Sequence, residues 1–313
     1  MTELQSTTQQ RKPPLLVILG PTASGKSGLG ITLAQEFRGE IVSADSRQVY
    51  RGLDIGTAKV TMAERALVPH FLLDIVDPEE VYTVSRFQQD AFLAIENIIA
   101  RNHLPFLVGG SPHYIQAVVD ALDMPQVAPD MGLRATLETR STEALLRELQ
   151  IRDSRTYETI DHKNRRRLIR ALEVCITTGK PFSEQRRVSE SHYRSLLLGI
   201  QWPRAILYER IDRRVDERMR QGMVQEVRDL LASGVSHERL EAFGLEYRFI
   251  DRYLRGEYTS EELMVERLKY AIHDFTRRQL SWFRRDSRIV WLNGDEHMER
   301  HARELVQRFL EQE

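Results

Sequence analysis

Short apolar runs alternate with amphipathic stretches along the first third of the chain, which predicts strands and helices in turn. Residues 15–19 are continuously apolar and bounded by Pro14, as in a buried strand. Residues 28–37 place Leu29, Leu33 and Phe37 at helical spacing. A second strand covers residues 40–44 and ends at Asp45. Residues 85–101 read as a helix, with Ser85 as N-cap and Phe87, Ala91, Ile95 and Ile98 as its apolar stripe. Residues 104–108 make a third strand, closed by Gly109 and Gly110. The pattern is that of a doubly wound parallel sheet of the α/β class. Sites in such folds lie beyond the C-terminal strand ends, here the loops at Gly20, Asp45 and Gly109.

The pattern then changes. Residues 123–130 contain Pro125 and Pro129 and read as a linker. Residues 131–187 show helical periodicity and no strand, with Leu133, Leu137, Leu145, Leu146 and Leu149 in one apolar set and Leu168, Leu172 and Ile176 in another. The second set stops at Gly179-Lys180-Pro181. A strand returns over residues 195–201, charged helices follow over 204–221, 223–232 and 260–285, and a last strand covers 288–292. The predicted organisation is an α/β core in two parts, residues 13–122 and 194–313, with a helical insertion at 123–193. No internal repeat occurs.

Charge adds a feature that the net value of −1 conceals. Between Arg134 and Arg187 there are 13 basic and 8 acidic residues, while the segment before it is acidic. The basic residues are mainly arginines, whose planar forks suit phosphate and base edges, and a basic middle segment points to a nucleic acid partner. The lone Cys175 excludes a disulfide framework and a cysteine zinc site. No run of about 20 apolar residues occurs, so a soluble, cytoplasmic chain, a monomer with no membrane association, is expected.

The chemistry begins at the end of the first strand. Gly20, Pro21, Thr22, Ala23, Ser24, Gly25, Lys26 and Ser27 fit G-x-x-x-x-G-K-[ST], the P-loop that wraps a diphosphate or triphosphate. Strand, glycine-rich loop and helix supply the context that the motif needs, because successive N–H groups and a helix N-terminus make an anion site. Lys26 adds a mobile positive charge and Ser27 a hydroxyl for Mg²⁺. Asp45 follows the second strand, where a carboxylate can serve as a Mg²⁺ partner, a general base or a helix cap. Residues 54–59 (Asp-Ile-Gly-Thr-Ala-Lys) form a dense small-and-charged loop. No carboxylate stands at the end of the third strand, which weakens an ATP hydrolase without excluding small-molecule kinases. Arg165, Arg166, Arg167 and Arg170 give the insertion a cationic helix end, and Arg228 lies on a helix face.

Together these motifs resemble the bacterial tRNA dimethylallyltransferases. The matching blocks are residues 20–27, 43–59, 108–111, 170–174 with 178–181, and 278–284 (Arg-Gln-Leu-Ser-Trp-Phe-Arg), in family order. The resemblance implies transfer of a dimethylallyl group from dimethylallyl diphosphate to N6 of the adenosine immediately 3′ of the anticodon, with Mg²⁺ as cofactor and the anticodon stem-loop of tRNA as partner. It implies Asp45 as general base, Gly20 to Ser27 as the diphosphate cradle, and Thr22, Lys26 and Arg228 as catalytic diphosphate contacts. It places tRNA contacts at Asp45, Ser46, Arg47, Gln48, Ser111 and Arg134, at Arg166, Arg167, Leu168, Ile169 and Arg170, and at Glu241, Ala242, Phe243, Gly244, Leu245 and Glu246.

The sequence departs from the family pattern at several points. The usual Gly-Gly-Thr-Gly-Leu-Tyr reads Gly-Gly-Ser-Pro-His-Tyr over residues 109–114. Residues 160–164 read Ile-Asp-His-Lys-Asn for Ile-His-Pro-Asn-Asp, Ile272-His273-Asp274 replaces Thr-Arg-Gln, and Leu245 replaces the Tyr of a Gly-Tyr pair. Two alternatives to prenyl transfer are a P-loop small-molecule kinase, which leaves residues 43–59 unexplained, and a nucleotide-gated RNA-binding module without chemistry.

Overall fold

The protein is described by a computed structural model covering residues 12–123, 127, 129–185, 187–188 and 190–312. Its strands, in chain order, are β1 (Pro14–Leu19), β2 (Gly39–Ala44), β3 (His70–Phe71), β4 (Leu104–Gly109), β5 (Leu122–Asp123), β6 (Arg187–Val188), β7 (Arg194–Gln201) and β8 (Ile289–Asn293). Six of them form one sheet in the order β3-β2-β4-β1-β7-β8. All of its pairings are parallel. In the centre, Leu16 of β1 stands opposite Phe106 of β4 and Leu196 of β7.

The unbroken apolar run in β1 has a direct cause. Leu15, Val17 and Leu19 join one core with Phe87, Ala91 and Ile95, while Leu16 and Ile18 join a second core with Leu29, Leu33 and Val306. Both faces are covered by helices, so neither parity of the strand can be polar. Helix Lys26–Glu36 follows β1, and Gly25, in the left-handed region at φ 97, lets the chain turn into it.

Several local expectations need correction. The helix expected from Ser85 is Val84–Ala100, capped by Thr83, whose hydroxyl accepts the Arg86 N–H at 3.2 Å. Thr83 is extended, as a cap must be, while Ser85 already lies in the helix. The strand at Leu104–Gly109 is the fourth, because β3 precedes it. Two residues are too few to show a period, which also hid β6. The insertion therefore contains a strand, pairing Leu122 with Val188 and Asp123 with Arg187 in antiparallel fashion. The expected linker at 123–130 lies partly outside the described residues. Helices His237–Phe243, Leu245–Leu254 and Met298–Glu311 add to those expected.

The chain divides into two compact units, one running up to Val119 and resuming at His192, the other Asp120–Ser191. The first holds the six-stranded sheet. The second is built on helices Met131–Glu138, Thr142–Arg152, Ser154–Thr159 and Arg165–Thr178, around Leu137, Leu145, Leu149, Leu168 and Leu172. Gly179, at φ 68, ends the last of these helices, its N–H bonded to Cys175 O. Among the described residues no helix is long and apolar enough to cross a membrane.

A buried carboxylate organises this smaller unit. Glu173 is fully buried and accepts Arg134 Nε at 2.8 Å, Arg170 Nη1 at 2.6 Å and the Asp130 N–H at 2.8 Å. Burial pushes its carboxyl up, but these donors overcome burial and hold it below the ordinary value. The stabilisation is therefore complete above the unfolded-state pKa and is lost as pH falls through the depressed folded value. Glu173→Leu should cost this unit about 3 kcal/mol, because two guanidinium groups lose a buried partner. Urea unfolding followed by a probe in the unit checks this, and a cost under about 1 kcal/mol, the usual worth of an exposed pair, would overturn it.

Candidate active site

The loops after β1, β2 and β4, neighbours in the sheet, bring half of the expected site residues to one edge. The loop Gly20–Ser27 bends through Ala23 at φ 60 and Gly25 at φ 97. Gly20 makes room for it, since a Cβ there would stand 2.8 Å from Ser24 Oγ. Ser24 is fully buried, and among the described residues its hydroxyl has no partner. Three side chains brace the loop from behind. Trp202 Nε1 donates to Ser24 O at 2.9 Å, Arg210 Nε to Ala23 O at 3.0 Å, and Gln279 Oε1 accepts the Thr22 N–H at 3.2 Å. Lys26 Nζ reaches back to Pro21 O at 3.3 Å.

Asp45 stands just past β2. Its Oδ1 accepts the N–H groups of Arg47 at 2.8 Å and Gln48 at 3.3 Å, and no described residue bonds Oδ2. One oxygen thus fixes the carboxylate and the other is left to meet a ligand. Ser46 N donates to Ser111 Oγ at 3.1 Å, which joins the loops after β2 and β4. Gln48 is held from both sides, its Oε1 by Ser43 Oγ and its Nε2 near the carbonyls of Thr57 and Ala58. Arg47 Nη2 donates to Ala242 O at 3.0 Å, and its guanidinium lies 5.6 Å from the Phe243 ring centre, so the expected segment 241–246 does meet the Asp45 loop.

Electrostatics distinguishes this edge from an ordinary surface. Burial, and then Arg214, push the Lys26 ammonium down to about 8, with Asp45 acting in the opposite direction. Burial, and then Arg218, push Arg214 down to about 10, again against Asp45. Like charges are crowded around a loop of backbone donors, which is a site short of an anion.

Other expected residues have inward roles. Glu246 pairs with the buried Arg218 at 2.9 Å, and Arg218 Nη1 also donates to Gly56 O at 2.7 Å. Glu241 accepts Arg252 and Arg255. Leu245 follows Gly244 in the left-handed region, at φ 38. Loop 54–59 is a latch: Glu226 Oε2 accepts Asp54 N–H at 3.0 Å, its Oε1 accepts Gly56 N–H at 3.0 Å, and buried Lys59 reaches Asp54 at 2.6 Å. Arg228 is exposed on helix Met223–Ala232, whereas Arg214 is the arginine that acts on Lys26.

In the Asp120–Ser191 unit, Arg134 and Arg170 are committed to Glu173. Leu168 and Ile169 are buried in its core, and the Leu168 N–H is bonded to Asn164 O at 3.1 Å. Arg165 is spent on the carbonyls of Leu137, Glu138 and Arg140. Arg166 and Arg167 are exposed at the start of helix Arg165–Thr178. Cations at a helix N-terminus oppose its dipole, so this placement works against the helix and suits an external anion.

Sequence reading missed Arg210, Arg214, Trp202, Gln279 and Glu226. A signal existed for two of them: Arg210, Arg214 and Arg218 recur every four residues beside the apolar stripe of Leu207, Ile211 and Val215, and so share one helix flank.

Comparison with known proteins agrees with this geometry. Residues 48–286 match the family model described as IPP transferase. The chain is 46% identical over 303 residues to a tRNA dimethylallyltransferase of Roseiflexus sp. (strain RS-1), covering 95% of this chain and 99% of that protein. It belongs to the tRNA dimethylallyltransferase family. It is 45% identical over 296 residues to tRNA dimethylallyltransferase 2 of Shewanella sediminis, covering 93% of this chain and 97% of that one. Among solved structures, a tRNA isopentenylpyrophosphate transferase from Bacillus halodurans superposes with a TM-score of 0.73 at 34% identity, covering 96% and 98% of the two chains. A eukaryotic dimethylallyltransferase acting on tRNA superposes at 0.78 with 27% identity, over 91% of this chain and 74% of that one.

The depressed Lys26 ammonium makes a measurable statement. A bound diphosphate anion raises its pKa, so at pH 8 ligand binding takes up part of a proton. Calorimetry of dimethylallyl diphosphate binding in buffers of different ionisation enthalpy reads this directly. Lys26→Met should abolish the uptake, and equal uptake in both proteins would overturn the assignment.

Proposed function

We propose that this chain transfers a dimethylallyl group from dimethylallyl diphosphate to N6 of the adenosine immediately 3′ of the anticodon in tRNA, releasing diphosphate. The observation that carries this is the juxtaposition of one carboxylate, Asp45, with the anion-seeking loop of Lys26 and Arg214. The adenine N6 is a weak nucleophile because its lone pair is delocalised into the ring. As the N6–C bond forms and the C–O bond to diphosphate breaks, Asp45 takes the N6 proton and the electron pair leaves with the diphosphate. Lys26, Arg214 and the N–H groups of the loop that remain free of Gln279 offset the charge that develops there. Arg214 takes the role that the resemblance assigned to Arg228. The target base must leave its stack to reach Asp45, at a cost of a few kcal/mol.

Mg²⁺ fits this donor set. Among the described residues no group of three or more His, Cys, Asp or Glu comes together. Ser27 would supply a hydroxyl oxygen to the ion and the diphosphate the others, the sparse ligation that Mg²⁺ accepts. When bound, the ion neutralises diphosphate charge.

The tRNA partner is supported by the exposed Arg166 and Arg167, and by Asp45 to Gln48, Ser111 and the 241–246 segment.

Asp45→Asn keeps the shape and removes the base. Single-turnover transfer to an anticodon stem-loop should fall by about 10²- to 10⁴-fold, with stem-loop affinity little changed. A near-normal rate would overturn the role. Joint replacement of Arg166 and Arg167 by Ala should weaken stem-loop binding and flatten its salt dependence, each lost phosphate contact removing about 0.7 to 0.9 from the log–log slope. Binding of dimethylallyl diphosphate should survive. An unchanged slope would show that both are solvated surface.

A further inference from the structure

Gln279 is the feature that the mechanism above leaves unused. It is buried, 6% exposed, on the long helix Glu261–Phe283. Its amide is shared between two strand-end loops. Oε1 accepts the Thr22 N–H at 3.2 Å, and Nε2 donates to Gly110 O at 2.6 Å. The loop after β1 and the loop after β4 are thus tied by one side chain from a helix more than 160 residues away in sequence from either.

Gly110 is shaped to this tie. A Cβ there would stand 3.0 Å from Gln279 Nε2, 3.1 Å from Gly20 O and 3.4 Å from Lys26 Cε. The missing side chain lets the amide, the first carbonyl of the P-loop and the stem of its lysine converge. An amide is also the one neutral side chain of this length that both gives and accepts a hydrogen bond. A carboxylate would set an oxygen against Gly110 O, and an apolar chain would leave a buried N–H and a buried C=O unpaired. The Thr22 N–H points at this amide and is not among the donors left for a phosphate.

We propose that Gln279 is a positioning residue for prenyl transfer: it sets the place of Thr22 in the P-loop against Lys26, acting through the Thr22 N–H and Gly110 O. This rests on the prenyl-transfer reading of the cleft. Diphosphate affinity resides mainly in Lys26, Arg214 and the remaining N–H groups, so loss of the tie displaces Thr22 without emptying the site. Displacements on the order of 1 Å cost about 10²-fold in rate.

The test uses two variants of the full chain. Gln279→Met keeps length and removes both hydrogen bonds. Gly110→Ala leaves Gln279 in place and pushes its amide away, so it reads the same quantity if the first variant folds poorly. Single-turnover transfer from dimethylallyl diphosphate to a saturating anticodon stem-loop should fall by about 10²-fold in each. The dissociation constants of inorganic diphosphate and of the stem-loop should stay within about threefold, a shift under 1 kcal/mol. A folded variant of either kind with a rate within twofold of the unmodified protein would overturn the proposal. So would a fall in diphosphate affinity matching the fall in rate, which would make Gln279 a binding support, or a matching fall in stem-loop affinity, which would make it part of the RNA surface. Failure of the unmodified protein to transfer in the same assay would instead refute the prenyl-transfer reading.

Discussion

Positive charge gathered around a loop of backbone donors is the constraint that the larger unit is built to satisfy. Burial first, and then a neighbouring guanidinium, push both Lys26 and Arg214 well below their ordinary pKa, the neighbour being Arg214 for Lys26 and Arg218 for Arg214. Such crowding is unfavourable in the folded chain alone and favourable once a diphosphate is present. The fold sustains it by neutralising the outer cation with its own acid: Glu246 takes Arg218 at 2.9 Å. Donors held in place before the reaction need no reorganisation during it, which is how fixed charge lowers a barrier.

Close backbone approach is the second requirement. The ends of β1, β2 and β4 converge because Gly20, Gly109 and Gly110 lack side chains where neighbouring chain segments pass. Into that space come Ser111, bonded to Ser46 N, and Gln279, bonded to both flanking loops. Loop 54–59 contributes in a different way. Its backbone N–H groups of Asp54 and Gly56 rest on Glu226, its buried Lys59 reaches Asp54, and its carbonyls of Thr57 and Ala58 hold Gln48 beside Asp45. Its density of small and charged residues records a latch and not a ligand site of its own.

In the Asp120–Ser191 unit the arginines divide their work. Arg134 and Arg170 converge on the buried Glu173, and Arg165 closes the end of a neighbouring helix. Arg166 and Arg167 remain exposed at a helix N-terminus, where they weaken the helix that carries them. A basic composition alone cannot make this division, because a guanidinium that caps a carbonyl and one exposed on the surface are the same residue in the chain.

The sequence by itself determined the α/β class, five of the six strands of the parallel sheet and the position of the P-loop, because apolar periodicity and glycine spacing are local properties of consecutive residues. It also determined family membership, through ordered motifs spread over most of the chain. It did not show β3 or β6, since a two-residue strand has no period, nor the cap at Thr83, since Thr83 and Ser85 are chemically alike and only the backbone angle separates them. It assigned Arg228 where the tertiary structure presents Arg214, and it passed over Gln279. Both choices depend on which helix faces crowd against a loop from far along the chain. That is settled only when the cores on the two sides of the sheet close and bring helix Arg204–Arg220 and helix Glu261–Phe283 behind residues 20–27.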